Sequence, residues 1–309
     1  MKKVCAFVCL LFLLTSSLAA QKTVFKPVKI RRHRSSEKRV LVDKLGTLTF
    51  DNSARKLKFV SDAGDLIDVG YDDIEKVVFD ETTHMRGGAL AQIVQFAPLA
   101  GPVAGTAIAG SHVEDCWFYV EYKTDDQNNS TLLVVPKNLT ERVISKATSV
   151  FGSRVTVTNF SEKGFTVQKD DLKAGKSKQT LKVDKENHPL PQVKPDQATV
   201  VVVCPALAAR NAGRGNQFKL HANDRVVAVN RMGTYNFAYL DPGEYRLVSQ
   251  AEGANGFEME LEAGHEYFFL QNTFQGVFRG ETSLSRNSKE VVMYLAESAY
   301  FSDWKPKQK

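Results

Sequence analysis

From about residue 40 onward, apolar side chains recur at every second position in short runs, and Gly, Pro, Asn and Asp break those runs. That pattern restricts the chain to β-structure. Lys56-Leu57-Lys58-Phe59-Val60 alternates as a half-buried strand does, between the turn clusters Asp51-Asn52-Ser53 and Asp62-Ala63-Gly64. Strands are expected before and after it, at Gly46–Phe50, Leu66–Tyr71 and into Phe79. Cys116–Tyr122 is aromatic and β-branched, Asp125–Asn129 is a polar hairpin loop, and Ser130–Val135 is its returning strand. Asn138, with Glu141 three residues on, reads as a capping box opening a helix that Gly152 stops. Arg154–Thr158 adds a last strand.

A second series begins at Ala198–Cys204, a run apolar enough to be buried on both faces. Strands are expected at Gln217–Leu220, Arg225–Val229, Thr234–Tyr239, Glu244–Ala251, Phe257–Leu261, Tyr267–Gln271 and Glu290–Leu295. Asn223-Asp224, Asp241-Pro242-Gly243 and Glu262-Ala263-Gly264 supply the turns. Many short strands with regular turns imply an antiparallel sandwich. A chain of 309 residues has room for about two domains of roughly 150 residues. The segment between the two series, 161–197, is polar and charged, ends in Pro189, Pro191 and Pro195, and reads as a linker with short strands at Phe165–Val167 and Thr180–Val183.

The N-terminus reads as an address. Met1-Lys2-Lys3 precedes an apolar run, Val4 to Leu14, and then small residues ending in Ala19-Ala20. This is the form of a secretory signal peptide, 1–20, so export to the periplasm or cell envelope, or secretion, is expected. Residues 21–38 carry Lys22, Lys26, Lys29, Arg31, Arg32, Arg34 and Lys38 against Glu37, and read as a basic flexible arm. It either meets an anionic envelope surface or is a solvated tail. The formal net charge of +6 is too diffuse to imply nucleic acid. Cys5 and Cys9 leave with the leader. Cys116 and Cys204 remain, and an oxidising compartment allows a disulfide between them; otherwise both are small buried groups on strands.

Residues 87–111 carry no charge. The segment is long enough to cross a bilayer, which takes about 20 residues, but Pro98 and Pro102 interrupt it. Gly101, Gly105 and Ala109 fall four apart, a spacing that lets helices approach closely. A packed helical hairpin, a loop between strands, and a membrane-inserting or self-associating segment all fit.

Serial strands closed by one helix resemble the pleckstrin-homology superfold and its GRAM-like relatives. The residues that carry the likeness are Gly46-x-Leu48-x-Phe50, Leu57-Lys58-Phe59 and Val69-Gly70-Tyr71-Asp72-Asp73-Ile74-Glu75-Lys76-Val77. The resemblance implies a PH-like β-barrel or sandwich with a C-terminal helix over 39–160, without the lipid ligand. The first hairpin offers only Arg55, Lys56 and Lys58, and an exported protein does not meet cytoplasmic-leaflet lipids. In the second half, Leu220–Ala228, Gly233-Thr234-Tyr235, Leu240–Tyr245 and Glu262–Phe269 resemble the uncharacterised domain-of-unknown-function 2846 family. That resemblance implies an immunoglobulin-like sandwich over 198–299, export, and no catalytic residue to carry over. Residues 300–309 are left as a C-terminal tail.

Little in the sequence points to a reaction. The six histidines pair with no other His or Cys at metal-ligand spacing, and there is no nucleophile elbow, Walker loop or dinucleotide glycine pattern. No catalytic residue, metal or cofactor is expected. The best anion cradle is the loop 210–216, with Arg210, Gly213, Arg214 and Gly215. Tyr235, Phe237 and Tyr239 alternate, so they share one face, as core or as a platform. The reading is a non-enzymatic envelope protein that contacts a protein partner or a membrane surface. A small-ligand binder at 210–216 and an enzyme acting on an envelope polymer are its alternatives.

Overall fold

The computed structural model describes residues 22–33, 41–64, 66–85, 112–160, 164–167, 179–206, 216–251, 254–275 and 280–306. The leader 1–20, the segment 87–111 with Gly101, Gly105 and Ala109, and the loop residues Arg210, Gly213, Arg214 and Gly215 lie outside them. The fold is mainly β and forms two compact units. One comprises Met1–Arg31, Asp43–Phe79 and Cys116–Val157; the other comprises Arg32–Val42, Asp80–Asp115 and Thr158–Lys309.

The first unit is built on strands β1 (Lys22–His33), β2 (Leu41–Asp51), β3 (Lys56–Ser61), β4 (Leu66–Gly70), β5 (Ile74–Met85), β6 (His112–Thr124), β7 (Gln127–Pro136) and β8 (Val155–Asn159), with helix α1 (Lys137–Phe151) between the last two. They form one open sheet in the order β4-β3-β2-β1-β7-β6-β5-β8, not a closed barrel. Its core takes Leu48 and Phe50 from β2, Leu57 and Phe59 from β3, and Phe79 stacked on Phe118 at 4.5 Å. Leu139, Val143, Ala147 and Phe151 fall on one stripe of α1 and are buried against it. The helix starts earlier than the sequence suggests. Pro136 is the N-cap and no side chain caps it, so Asn138 and Glu141 form no capping box. Gly152 ends it at φ +58°, a conformation that costs other residues more.

One expectation about this unit is corrected. The basic arm 21–38 holds a strand, β1, antiparallel to β7 with Ile30 opposite Leu133. Phe25, Val28 and Ile30 are buried while Lys22, Lys26 and Lys29 stay exposed. The alternation slips by one residue at Pro27, which hid the period. Arg31 is buried: its guanidinium lies 4.6 Å over Trp117 and forks onto Asp43 at 2.6 and 2.7 Å. Of the two readings of Cys116 and Cys204, the structure has the second: neither is in a disulfide, and both are buried as small core side chains.

The second unit stacks two sheets. One has six strands, in the order β10 (Gln179–Asp184), β19 (Tyr300–Pro306), β14 (Thr234–Leu240), β11 (Ala198–Cys204), β17 (Glu266–Gln275) and β18 (Gly280–Asn287). The other has five, in the order β13 (Arg225–Asn230), β12 (Phe218–Ala222), β15 (Gly243–Gln250), β16 (Ala254–Leu261) and β9 (Gly164–Val167). Val200, Val202 and Phe269 from the first sheet meet Leu220, Leu247 and Phe257 from the second in a common core. The six-stranded sheet is mixed: β11 runs parallel to β17, and β14 to β19, which corrects the purely antiparallel expectation. All seven residues of β11 are buried. Helix α2 (Lys289–Ala296) packs on β11 and β17 and covers part of the sheet's outer side.

Three boundaries shift here. The two short strands expected in the linker 161–197 form, and they belong to the second unit as edge strands, β9 on β16 and β10 on β19. The expected tail 300–309 is largely β19, which is paired on both sides. The expected strand Glu290–Leu295 is helix α2, because Val291, Val292 and Leu295 bury one helical face.

Candidate functional site

Polar side chains inside the second unit join strands to one another. Asn230 Nδ2 donates to Gln271 Oε1 at 2.9 Å, and Gln271 Nε2 donates to Ser249 Oγ at 3.0 Å. Ser249 and Thr282 share a hydrogen bond of 3.1 Å. Asn236 donates to the carbonyl of Ser302, whose own hydroxyl donates to the carbonyl of Val229. All of these residues are buried. This is a structural web that satisfies polar groups where water is excluded.

The same unit holds two buried titratable groups, His221 and Asp80, that burial shifts from solution behaviour. His221 is fully buried, with Nε2 2.9 Å from Gln250 Oε1; burial lowers its pKa, so the ring is neutral. Ser249 is no partner to it. His221 sits opposite Val248 in the β12–β15 register, and successive residues of a strand face opposite sides of a sheet. Asp80 is also fully buried. Its Oδ2 accepts from the Ser288 amide at 2.6 Å, the Ser288 hydroxyl at 3.0 Å and Asn287 Nδ2 at 3.2 Å. Burial pushes its pKa up to about 6 against these hydrogen bonds. The carboxylate holds the first residues of α2 and meets the positive end of the helix.

Neither cysteine is placed as a nucleophile, since burial raises the Cys204 thiol far above its ordinary range. His265 lies on the surface, 3.5 Å from Glu262. Among the described residues no group of three or more His, Cys, Asp or Glu side chains could hold a metal ion. No described helix is long and apolar enough to cross a membrane.

A row of aromatic side chains lies on the outer side of β14. Tyr235, Phe237 and Tyr239 alternate along that strand and do share one face, opposite the inner core. Tyr235 is buried and the other two are half-buried. Phe301 of β19 joins the row, 5.5 Å from Tyr235 and 5.6 Å from Phe237. Residues 188–195 run along this row as a strap outside any ladder, and a turn begins at its end. Tyr235 Oη donates to the Pro189 carbonyl at 2.7 Å, and the Gln192 amide donates to Tyr239 Oη at 3.1 Å. The His188 ring lies 4.7 Å from Tyr235, and Lys194 Nζ lies 3.9 Å over the Tyr239 ring. Pro189, Pro191 and Pro195 fix φ at their own positions and push His188, Leu190 and Lys194 toward extended backbone. Leu190 and Val193, three apart, are 58% and 50% exposed.

Sequence reasoning found the aromatic period and the prolines separately. It did not bring them together, because nothing in a linker-like composition says which face it will cross. No protein-family model and no curated protein matches the chain.

Proposed function

We propose that this chain is an exported, non-enzymatic cell-envelope protein that works as a binding or scaffolding module. In this reading the first unit is a PH/GRAM-like module, and the second an immunoglobulin-like module of the domain-of-unknown-function 2846 kind. The leader-like sequence 1–20 supports export. The observation that carries binding is the aromatic row of β14 and β19, a sheet face that already holds an extended polypeptide through tyrosine hydroxyls, with Leu190 and Val193 turned to solvent.

Two measurements test this. Fusing residues 1–60 to a reporter that folds only after export is expected to give an active reporter, and residues 21–60 alone an inactive one; equal activity overturns export. A photo-crosslinking amino acid at Val193 is expected to trap a discrete envelope protein in intact cells. A chain that crosslinks to nothing there and at Leu190 overturns contact through this face. Deleting 88–110 is expected to reduce envelope partition, and unchanged partition removes the membrane-contact part of the proposal.

A further inference from the structure

The strap 188–195 is held by generic chemistry. One tyrosine hydroxyl donates to a backbone carbonyl, one accepts from a backbone amide, and a lysine ammonium sits on a ring face. None of these contacts uses the two large apolar side chains of the strap, Leu190 and Val193, which point away. What is recognised is an extended backbone stiffened by proline, with a cation five residues after the carbonyl that Tyr235 holds. A segment of that kind loses little conformational freedom on docking, and aromatic rows bind such segments for that reason. We infer that the Tyr235-Phe237-Tyr239-Phe301 face is a docking groove for extended, proline-containing peptide segments of a partner, and that residues 188–195 are its resident, displaceable ligand.

The inference rests on the binding-module reading and supplies its partner chemistry. Because the strap is tethered at both ends, by β10 before it and β11 after it, it competes at high effective concentration, and a partner meets a reduced apparent affinity until the strap lifts. Proline at the positions of Pro189 and Pro191 and a Lys or Arg at the position of Lys194 define the segment that fits.

The test uses the full chain and a fluorescein-labelled synthetic peptide with the sequence of residues 186–197. The strap-loosened variant P189G/P191G/K194A is expected to bind the peptide at least about tenfold more tightly than the wild type by fluorescence anisotropy. Adding Y235F and Y239F, which keep the rings and remove both hydroxyls, is expected to reverse most of that gain. A loosened variant with wild-type circular dichroism that binds no better than the wild type overturns the inference, as does binding indifferent to the two hydroxyls. If the loosened variant does not fold, the wild type decides. Saturating unlabelled peptide is expected to speed hydrogen exchange at the Gln192 amide, and an unchanged rate overturns displacement. Crosslinking at Val193 without peptide binding removes the groove and leaves the binding module standing.

Discussion

Asn255 and Thr282 join the two sheets of the second unit through a side chain that stands in for a strand. Asn255 Nδ2 donates to the Thr282 carbonyl at 2.7 Å, and Asn255 Oδ1 accepts from the Leu284 amide at 3.0 Å. Strand β18 ends its sheet, so these two backbone groups sit at an edge with no neighbouring strand. The carboxamide offers one donor and one acceptor, as a strand would, and blunts that edge. Asn255→Ala leaves both groups buried without this partner and is expected to destabilise the second unit by about 2–4 kcal/mol. Asn255→Asp keeps an acceptor for Leu284 but sets a carboxylate against a carbonyl, so its loss is expected to be at least as large. Urea unfolding checks both; a change below about 0.5 kcal/mol for Asn255→Ala would remove the strand-mimic role.

In the first unit, Arg31 is gripped on two sides: Asp43 accepts both arms of its fork, and Trp117 lies under the plane. The Arg31 side chain is 7% exposed and that of Asp43 is 29% exposed. Removing the carboxylate should therefore cost more than removing the guanidinium, because Asp43 can turn to water and Arg31 cannot. Asp43→Ala is expected to destabilise by about 2–3 kcal/mol, and Arg31→Met by less. Arg31→Lys keeps the charge but loses the fork and the stacking, and should fall between them. Equal losses for Asp43→Ala and Arg31→Met contradict the asymmetry.

These two cases show where the sequence was readable. Apolar runs between turn residues located β3, β7, β11, β14 and β17, alternating in β3 and β14 and continuous in β11, because each buries apolar side chains on at least one face. It failed on β18, where Thr282, Ser283 and Ser285 are buried and only Leu284 is apolar. That strand is stabilised by the polar web, whose partners at Asn255, Ser249 and Gln271 lie far away in sequence. It failed on α2 for the opposite reason, since Val291-Val292 and Leu295 look β-like until the four-residue spacing is weighed. The candidate site was half legible. Three aromatics on one face follow from period two, whereas the strap that crosses them depends on a chain reversal that no local pattern records.

The thiols give a simple check on the core. Cys116 and Cys204 are 3% and 0% exposed, and neither is in a disulfide. Neither is expected to react with a maleimide over an hour in the folded protein, and both should react rapidly in strong denaturant without prior reduction. A chain that takes up label only after reduction has formed the disulfide that the structure lacks.

Asp80 and His221 should pull stability in opposite directions across one pH range. The carboxyl of Asp80 has its pKa raised from 3.8 to about 6, chiefly by burial. Its proton is bound more tightly in the folded state, so its contribution to stability is full below about pH 4 and is lost as the pH rises through 6. A shift of about two units corresponds to on the order of 3 kcal/mol. The pKa of His221 is lowered, again chiefly by burial, so its contribution is present above the unfolded value near 6.5 and is lost as the pH falls from there through the lower folded value. Asp80→Asn keeps an acceptor for Ser288 and carries no charge. It should remove the first effect alone, so that the wild type gains stability relative to it as the pH drops from 7 to 4. His221→Gln should remove the second, so that the wild type loses relative stability over the same interval. Melting temperatures of the three proteins in matched buffers from pH 4 to 8 decide the matter. Parallel curves for the wild type and Asp80→Asn would mean that the carboxyl beside Ser288 titrates in the folded protein as it does in the unfolded chain.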